Sequence, residues 1–468
     1  MPAATVRLAR RPALGHSSRE MVTARNASRE QSPLARIVAN TAWLLGGRSV
    51  GGILSLVYIA ILTRSLGLKA FGHFSLIFGT SQALIALAGF ETWRIVVRYG
   101  AEHVHNEDWA AFGRLSLFAG MLDLAGAVFG TVLAYIVFFQ FSHLLHLNHT
   151  LILTAFWFNV AAVWALVSAP TGIVRALDRF DVAAYVEAVV PAGRLVAAVA
   201  IWLTGPSLVR FLIAWAVIDL VEAALYWIMA RRLCPQAVRL GYLGGWRQAL
   251  RENSRITRFF WVTYAGATLD ALLKQGPLLA VGYFTGTKSA GLFRLARQLA
   301  QSLGKLAGML TRAVYAEIAR ARVASEANEF RRLAYRTTLF AGVAGVVVVL
   351  LALLLGSSLM DVLGGDAFRG GGTLLVPLAV AASFDLGAVA FEPVLHATGH
   401  PHYSLTARFL AVVTAAAALL AWVHAYGAFG IAWAVAVGGA VGYLALGALA
   451  RYTLGRLDES PPAADTAM

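Results

Sequence analysis

Roughly a dozen apolar stretches, each about 18–25 residues long and so long enough to cross a bilayer as a helix, leave this chain few folds to choose from. They fall near 42–63, 74–93, 115–139, 150–172, 183–203, 209–230, 259–283, 288–311, 338–358, 373–396, 405–423 and 428–450. In lipid every backbone polar group must be satisfied within its own element, so spans of this length are helices. Basic residues divide the gaps between them. Arginines crowd the N-terminal segment, the 231–258 stretch and the gap after the eighth span, whereas alternate gaps hold only Arg64, Lys69, Arg210, Lys288 and Arg369. That asymmetry predicts both termini on the cytoplasmic side.

Composition agrees: 59% of residues are hydrophobic and 13% charged, against about 25% charged in soluble domains. The net charge of +15 reads as a match to anionic headgroups rather than to nucleic acid, which is not an expected partner. Cys234 is the sole cysteine, which excludes an intrachain disulfide and a cysteine-built metal centre. Residues 1–40 are basic, serine-rich and without an apolar core, and read as a disordered cytoplasmic tail rather than a signal peptide. Residues 453–468 read as a second disordered tail.

Two six-helix lobes are expected, 41–231 and 259–452, joined by a cytoplasmic linker at 232–258. In that linker Trp246, Leu250 and Ile256 alternate with Arg247, Arg251 and Arg255 at helical spacing, as in an interfacial amphipathic helix. The lobes also repeat. GLKAFGHFSL at 67–76 aligns without gaps to GTKSAGLFRL at 286–295, an offset of 219 that also pairs Gln82 with Gln301 and Leu84 with Leu303. Both copies enter the second span of their lobe from the same side, which makes the repeat parallel.

Charges inside spans are expensive and face a bundle interior or a wet cavity. The eighth span carries the densest set: Arg294, Arg297, Gln298, Gln301, Lys305 and Arg312, on one stripe at helical spacing. A cationic stripe suits a phosphate, which guanidinium binds bidentately; internal ion pairs locking helices together are the other reading. Asp270 and Lys274, at i,i+4 in the seventh span, either pair with each other or leave Asp270 as an exchangeable proton or sodium site. Glu91, Arg94 and Arg98 lie near the cytoplasmic end of the second span, to grip a headgroup or to snorkel. Asp123, Glu187, Arg194, Asp219 and Glu222 populate the first lobe, and Asp385 and Glu392 share a face of the tenth span.

No enzyme is expected. There is no phosphate-binding Gly-Lys-Ser/Thr loop and no H-E-x-x-H pair. His143, His146 and His149 read as a polar loop rather than a metal site, and His396, His400 and His402 as a turn. No cofactor and no metal are implied.

Several phrases resemble those of the polysaccharide transport flippases, the O-antigen-flippase branch of the multidrug/oligosaccharidyl-lipid/polysaccharide exporter superfamily. They are TRSLG (63–67) followed by Lys69 and Phe71–Gly72, GIVRALDRFDVAA (172–184), and AGLFRLARQLAQSLGKLAG (290–308). The resemblance covers about 39–450. It implies an all-α polytopic protein of the bacterial inner membrane that turns a polyprenyl-pyrophosphate oligosaccharide from the cytoplasmic to the outer face. Two lobes would alternate access to a central cavity. Arg294, Arg297, Gln301, Lys305, Arg94, Arg98 and Lys274 would contact the substrate, and Asp270 would couple a proton or sodium gradient. Membrane lipids, a polysaccharide polymerase and a chain-length regulator are the implied partners, with the flippase itself acting as a monomer. The competing expectations are a multidrug-type exporter of the same architecture, whose cationic substrates call for an acidic cavity, and a membrane polymerase or glycosyltransferase.

Overall fold

The computed structural model describes residues 33–320, 327–388, 391, 395 and 402–459, with side chains for 51–305, 339, 341–388, 391, 395 and 402–453. Among them every regular element is helical. The run Pro33–Ala88 is interrupted at Gly67, giving α1 before it and α2 after it. Then come α3 (Thr92–His105), α4 (Trp109–Tyr135), α5 (His149–Trp164), α6 (Ser168–Ala176), α7 (Phe180–Thr204), α8 (Leu208–Leu233) and the short α9 (Trp246–Glu252). The run Ile256–Arg320 is interrupted at Gly286 into α10 and α11. Helices α12 (Ala327–Gly364) and α13 (Gly372–Ala388) follow, and His402–Glu459 is interrupted at Gly427 into α14 and α15. Setting aside the short α3, α6 and α9, twelve long helices remain among the described residues, six in each lobe. Seven runs meet the length and hydropathy of membrane spans, and two of these, Gly51–Ala88 and His402–Thr453, turn back at a glycine. The chain is a multi-pass membrane protein.

The repeat read from the sequence is a structural one. Gly67 (φ 70°, ψ 172°) and Gly286 (φ 86°, ψ 176°) hold the same backbone conformation, one that a side chain would strain. From these turns α2 and α11 run against each other, and the contact is reciprocal. A Cβ on Gly72 would lie 2.0 Å from the Thr287 carbonyl oxygen, and one on Gly291 would lie 3.1 Å from that of Leu68. Position 68 corresponds to 287 and 72 to 291, so this is a pseudo-two-fold crossing at the end of the bundle away from the termini.

At that far end one apolar core runs through both lobes, including Phe71 and Phe74 of the first and Phe293 and Phe368 of the second. Phe71 meets Phe368 edge-on at 5.7 Å. Polar contacts reinforce the closure. Thr63 Oγ1 donates to the Leu363 carbonyl at 2.8 Å and Arg64 Nη2 to that of Val362 at 2.7 Å. These are carbonyls of the last turn of α12, which have no partner within their own helix. At the termini end the cores separate: one cluster lies within the first lobe around Phe112 and Tyr226, another within the second around Leu395 and Leu446. There the lobes meet through the start of α10, where Tyr264 Oη donates to the Leu87 carbonyl at 2.7 Å and Phe90 packs on Phe260.

Four sequence expectations are corrected. The second span stops at Ala88; Glu91 adopts a left-handed conformation (φ 50°), so Arg94 and Arg98 belong to the separate, amphipathic α3. The fourth span is also interrupted, between Trp164 and Ser168. Both breaks converge on Asp123 of α4, whose carboxylate accepts from Thr92 Oγ1 and from the Ala169 backbone N–H, each at 2.6 Å. A buried acceptor that satisfies a buried N–H in the first turn of α6, which has no partner within its own helix, makes the break cheaper than it would otherwise be. In the linker the helix extends only over Trp246–Glu252, after 3-10 turns at Pro235–Val238 and Leu240–Gly245, because Gly241, Gly244 and Gly245 disfavour a longer one. Lastly, α1 already starts at Pro33, a residue suited to the first turn, and α15 continues to Glu459, so helix extends into both expected tails. Residues 1–32 and 460–468, Glu392, His396 and His400 lie outside the described residues, as does the side chain of Arg312.

Asp123→Ala is expected to strand two buried donors, at about 1–3 kcal/mol each. Thermal unfolding of the detergent-purified protein should show a clear loss of stability. An unchanged midpoint would mean that water replaces the carboxylate.

Candidate anion-binding site

Just inside the far-end closure, α1, α2, α7, α8 and α11 enclose a cavity of about 140 Å³. Its walls are largely aromatic. Tyr58 and Phe74 both pack edge-on against Trp215, at 5.5 and 6.0 Å, and Phe78 completes the box. Three polar side chains enter it: Arg194 from α7, and Arg294 and Gln298 from α11. Both guanidinium groups lie against the Phe78 ring, with their carbons 5.5 Å (Arg194) and 4.5 Å (Arg294) from its centroid. Arg194 also lies 5.6 Å from the Trp215 ring centroid. Aromatic faces attract a desolvated cation, which lets two like charges occupy one small site.

Their partners differ. Arg194 Nη2 is 2.7 Å from Asp219 Oδ1 on α8, with side chains only 11% and 18% exposed, while Arg194 Nε is buried with no hydrogen-bond partner. Among the described residues no carboxylate pairs with Arg294. The site is therefore short of negative charge. Its volume is well below the roughly 300–1,000 Å³ of pockets that enclose a drug-sized ligand. It fits a small anionic group, and a larger molecule enters only if the lobes part.

The other residues singled out in the sequence spread over three places. On α11, Gln301 is half-buried and Lys305 exposed; with Arg294 and Gln298 they stay within one face. Arg297 stands about 60° round the helix from Arg294. Its Nη1 donates to the Lys274 carbonyl, and it lies near Asp385 and Asp270 within the second lobe. Lys274 Nζ is 2.5 Å from Asp270 Oδ2, and Arg408 Nη1 is 3.8 Å from Asp270 Oδ1. Arg94 pairs with Glu91 at 3.0 Å and covers Trp93, and Arg98 covers Phe259 at 4.6 Å, both at the termini end. Thus, of the charged residues singled out for substrate contact, Arg294 lines the cavity, with its stripe neighbour Gln298 beside it. Arg194 is the residue that spacing did not single out; a mid-span arginine matched by a mid-span aspartate on the next helix was the available signal. Among the described residues no group of three His, Cys, Asp or Glu side chains could hold a metal.

The architecture defines a class. A multidrug resistance MATE family transporter of the MOP superfamily, in its inward-facing conformation, superposes with a TM-score of 0.68 at 16% identity, covering 91% of this chain and 99% of the other. The lipid II flippase MurJ, in an inward closed conformation, gives 0.66 at 12% identity over 88% and 89%. At such identities the likeness is one of fold, two lobes of six membrane helices. Within that class the chain belongs to the polysaccharide biosynthesis protein family, whose model matches residues 37–321. It is also 27% identical over 339 residues to the inner membrane protein YghQ of Escherichia coli (strain K12), covering 70% of this chain and 92% of the relative.

Proposed function

We propose that the chain is a flippase for a polyprenyl-diphosphate-linked oligosaccharide, serving the assembly of O-antigen, capsule or exopolysaccharide at the bacterial inner membrane. The observation that carries this reading is the meeting of Arg194 and Arg294, one from each lobe, in an aromatic cavity on the lobe boundary. A diphosphate is small, doubly anionic and suited to guanidinium forks. Family membership and a fold shared with a lipid II flippase support it. With both termini cytoplasmic, the sealed far end is the outer face. The separate cores at the other end then belong to the loading side, and alternating access carries the sugar outward while the prenyl chain stays in lipid. The chain performs no covalent chemistry. Asp270, held by Lys274 and Arg408, remains a candidate for coupling to a proton or sodium gradient.

A multidrug exporter shares the fold, but a cationic drug would meet two arginines in this cavity, one of them without a counter-ion among the described residues. Purified protein in proteoliposomes with a lipid-linked oligosaccharide tests the choice. Protein-dependent exposure of the sugar at the outer leaflet is expected. Efflux of a small cationic dye without sugar exposure would replace the flippase by the exporter.

A further inference from the structure

Arg194 and Arg294 flank the same cavity yet differ in one respect, and the difference assigns a role to a residue outside the cavity. Arg294 has no carboxylate partner among the described residues, whereas Arg194 is held by Asp219 at 2.7 Å through one terminal nitrogen, its Nε buried and unpartnered. A guanidinium binds a phosphate or a carboxylate through the same two-pronged face. Asp219 and an arriving anion therefore compete for Arg194. Resting on the reading of the cavity as a diphosphate site, we infer that Asp219 is a resident counter-ion. It neutralises Arg194 in the empty site, yields it when the diphosphate enters, and reclaims it as the diphosphate leaves. Asp219 is a positioning residue in this scheme, and its effect is to hold affinity down so that release is not the slow step.

The surroundings favour exchange over a fixed structural pair. A purely structural arginine is expected to have its buried donors satisfied, and this one is not. The Tyr58 hydroxyl stands beside the guanidinium and can keep part of its polar contact during the exchange. Glu222, within one turn of Asp219 on α8, has no hydrogen bond among the described residues and lies within electrostatic reach of Arg194. Glu222 supplies a control: its neutralisation removes the same charge from nearly the same place without freeing Arg194.

The test is binding of inorganic pyrophosphate to the detergent-purified full chain, followed by calorimetry, for the wild type, Asp219→Asn, Asp219→Glu and Glu222→Gln. Asp219→Asn should bind about 10- to 100-fold more tightly, the range expected when a charge-assisted competitor is removed. Asp219→Glu, which restores the competitor, should return close to the wild type, and Glu222→Gln should gain less than about three-fold. Equal gains for Asp219→Asn and Glu222→Gln would reduce the effect to net charge and overturn the exchange. Unchanged or weaker binding by Asp219→Asn would overturn it as well, leaving the diphosphate site intact. No pyrophosphate binding by the wild type or by any variant would remove the diphosphate reading itself. Difference infrared spectra of the wild type, which depend on no variant folding, should show a carboxylate stretch that shifts on adding pyrophosphate. A spectrum without that shift would overturn the exchange too.

Discussion

Arg294→Glu is expected to abolish translocation of a lipid-linked oligosaccharide while leaving the protein folded in the membrane. Arg294 is the cavity cation with no carboxylate beside it among the described residues, so its charge is available to a ligand. Losing one partner of a buried charged contact costs about 2–5 kcal/mol, or roughly 30-fold and upward in binding, and reversal adds repulsion. The fold should tolerate the change because no buried anion among the described residues loses its partner. Arg194→Ala is the contrast. It leaves Asp219 buried and unpaired, a situation that costs about 3–5 kcal/mol. Flipping in proteoliposomes and thermal unfolding, measured on both variants, separate the two roles. Retained flipping by Arg294→Glu would sink the anion site, whatever the stability data say.

Gly72→Ala should force open the end of the bundle that is closed in this structure. The new methyl carbon would sit 2.0 Å from the Thr287 carbonyl oxygen and 2.7 Å from its carbon. Both are backbone atoms in the first turn of α11, and neither can turn aside as a side chain would. Gly291→Ala meets Leu68 at 3.1 Å, a crowding that a shift of a few tenths of an ångström relieves. The two substitutions are chemically identical and related by the repeat, yet the first should perturb far more. Overpacking costs about 1–3 kcal/mol, which translates into roughly a 5- to 150-fold shift of population toward the opposite opening. A cysteine introduced at Gln298 and a membrane-impermeant maleimide report on it, since the native Cys234 is buried. Labelling from the far side should accelerate in Gly72→Ala and barely change in Gly291→Ala. Equal rates in both would mean that this crossing is a fixed pivot rather than a seal.

The fold was legible where one physical signal dominates. Hydropathy over about twenty residues marks a span, and two glycine-led decapeptides were enough to expose the repeat. The interruptions in the second and fourth spans left no such trace. Residues 161–174 carry no charge through their break and 85–90 stay apolar up to Glu91, and at both breaks a carboxylate arrives from a third helix, Asp123. The site divides along the same line. A cation in the middle of an apolar helix stands out at once, which is why Arg294 was visible. A stripe drawn at helical spacing is broad enough to group it with Arg297, whose side chain lies elsewhere. The 60° between them sends one toward the lobe boundary and the other back onto its own lobe. Arg194 was visible as a charge but not as a cavity residue, because its placement depends on how α7 packs against the α1–α2 run and α8, which no local pattern encodes.

The reciprocal crossing of α2 and α11 has a historical reading. If two copies of a single lobe once associated as a homodimer, position 72 of each would have met position 68 of the other, and fusing the genes would preserve that meeting on the former dyad. The rest of the two helices did not stay alike. The counterparts of Arg294, Arg297 and Lys305 in α2 are Ser75, Phe78 and Ala86, so one descendant helix gathered the cations while the other supplied the aromatic ring against which Arg294 lies. Division of labour between duplicated halves thus began a turn or two below the axis. An ancestor reconstructed with two identical lobes would present its cargo with either two cationic walls or none.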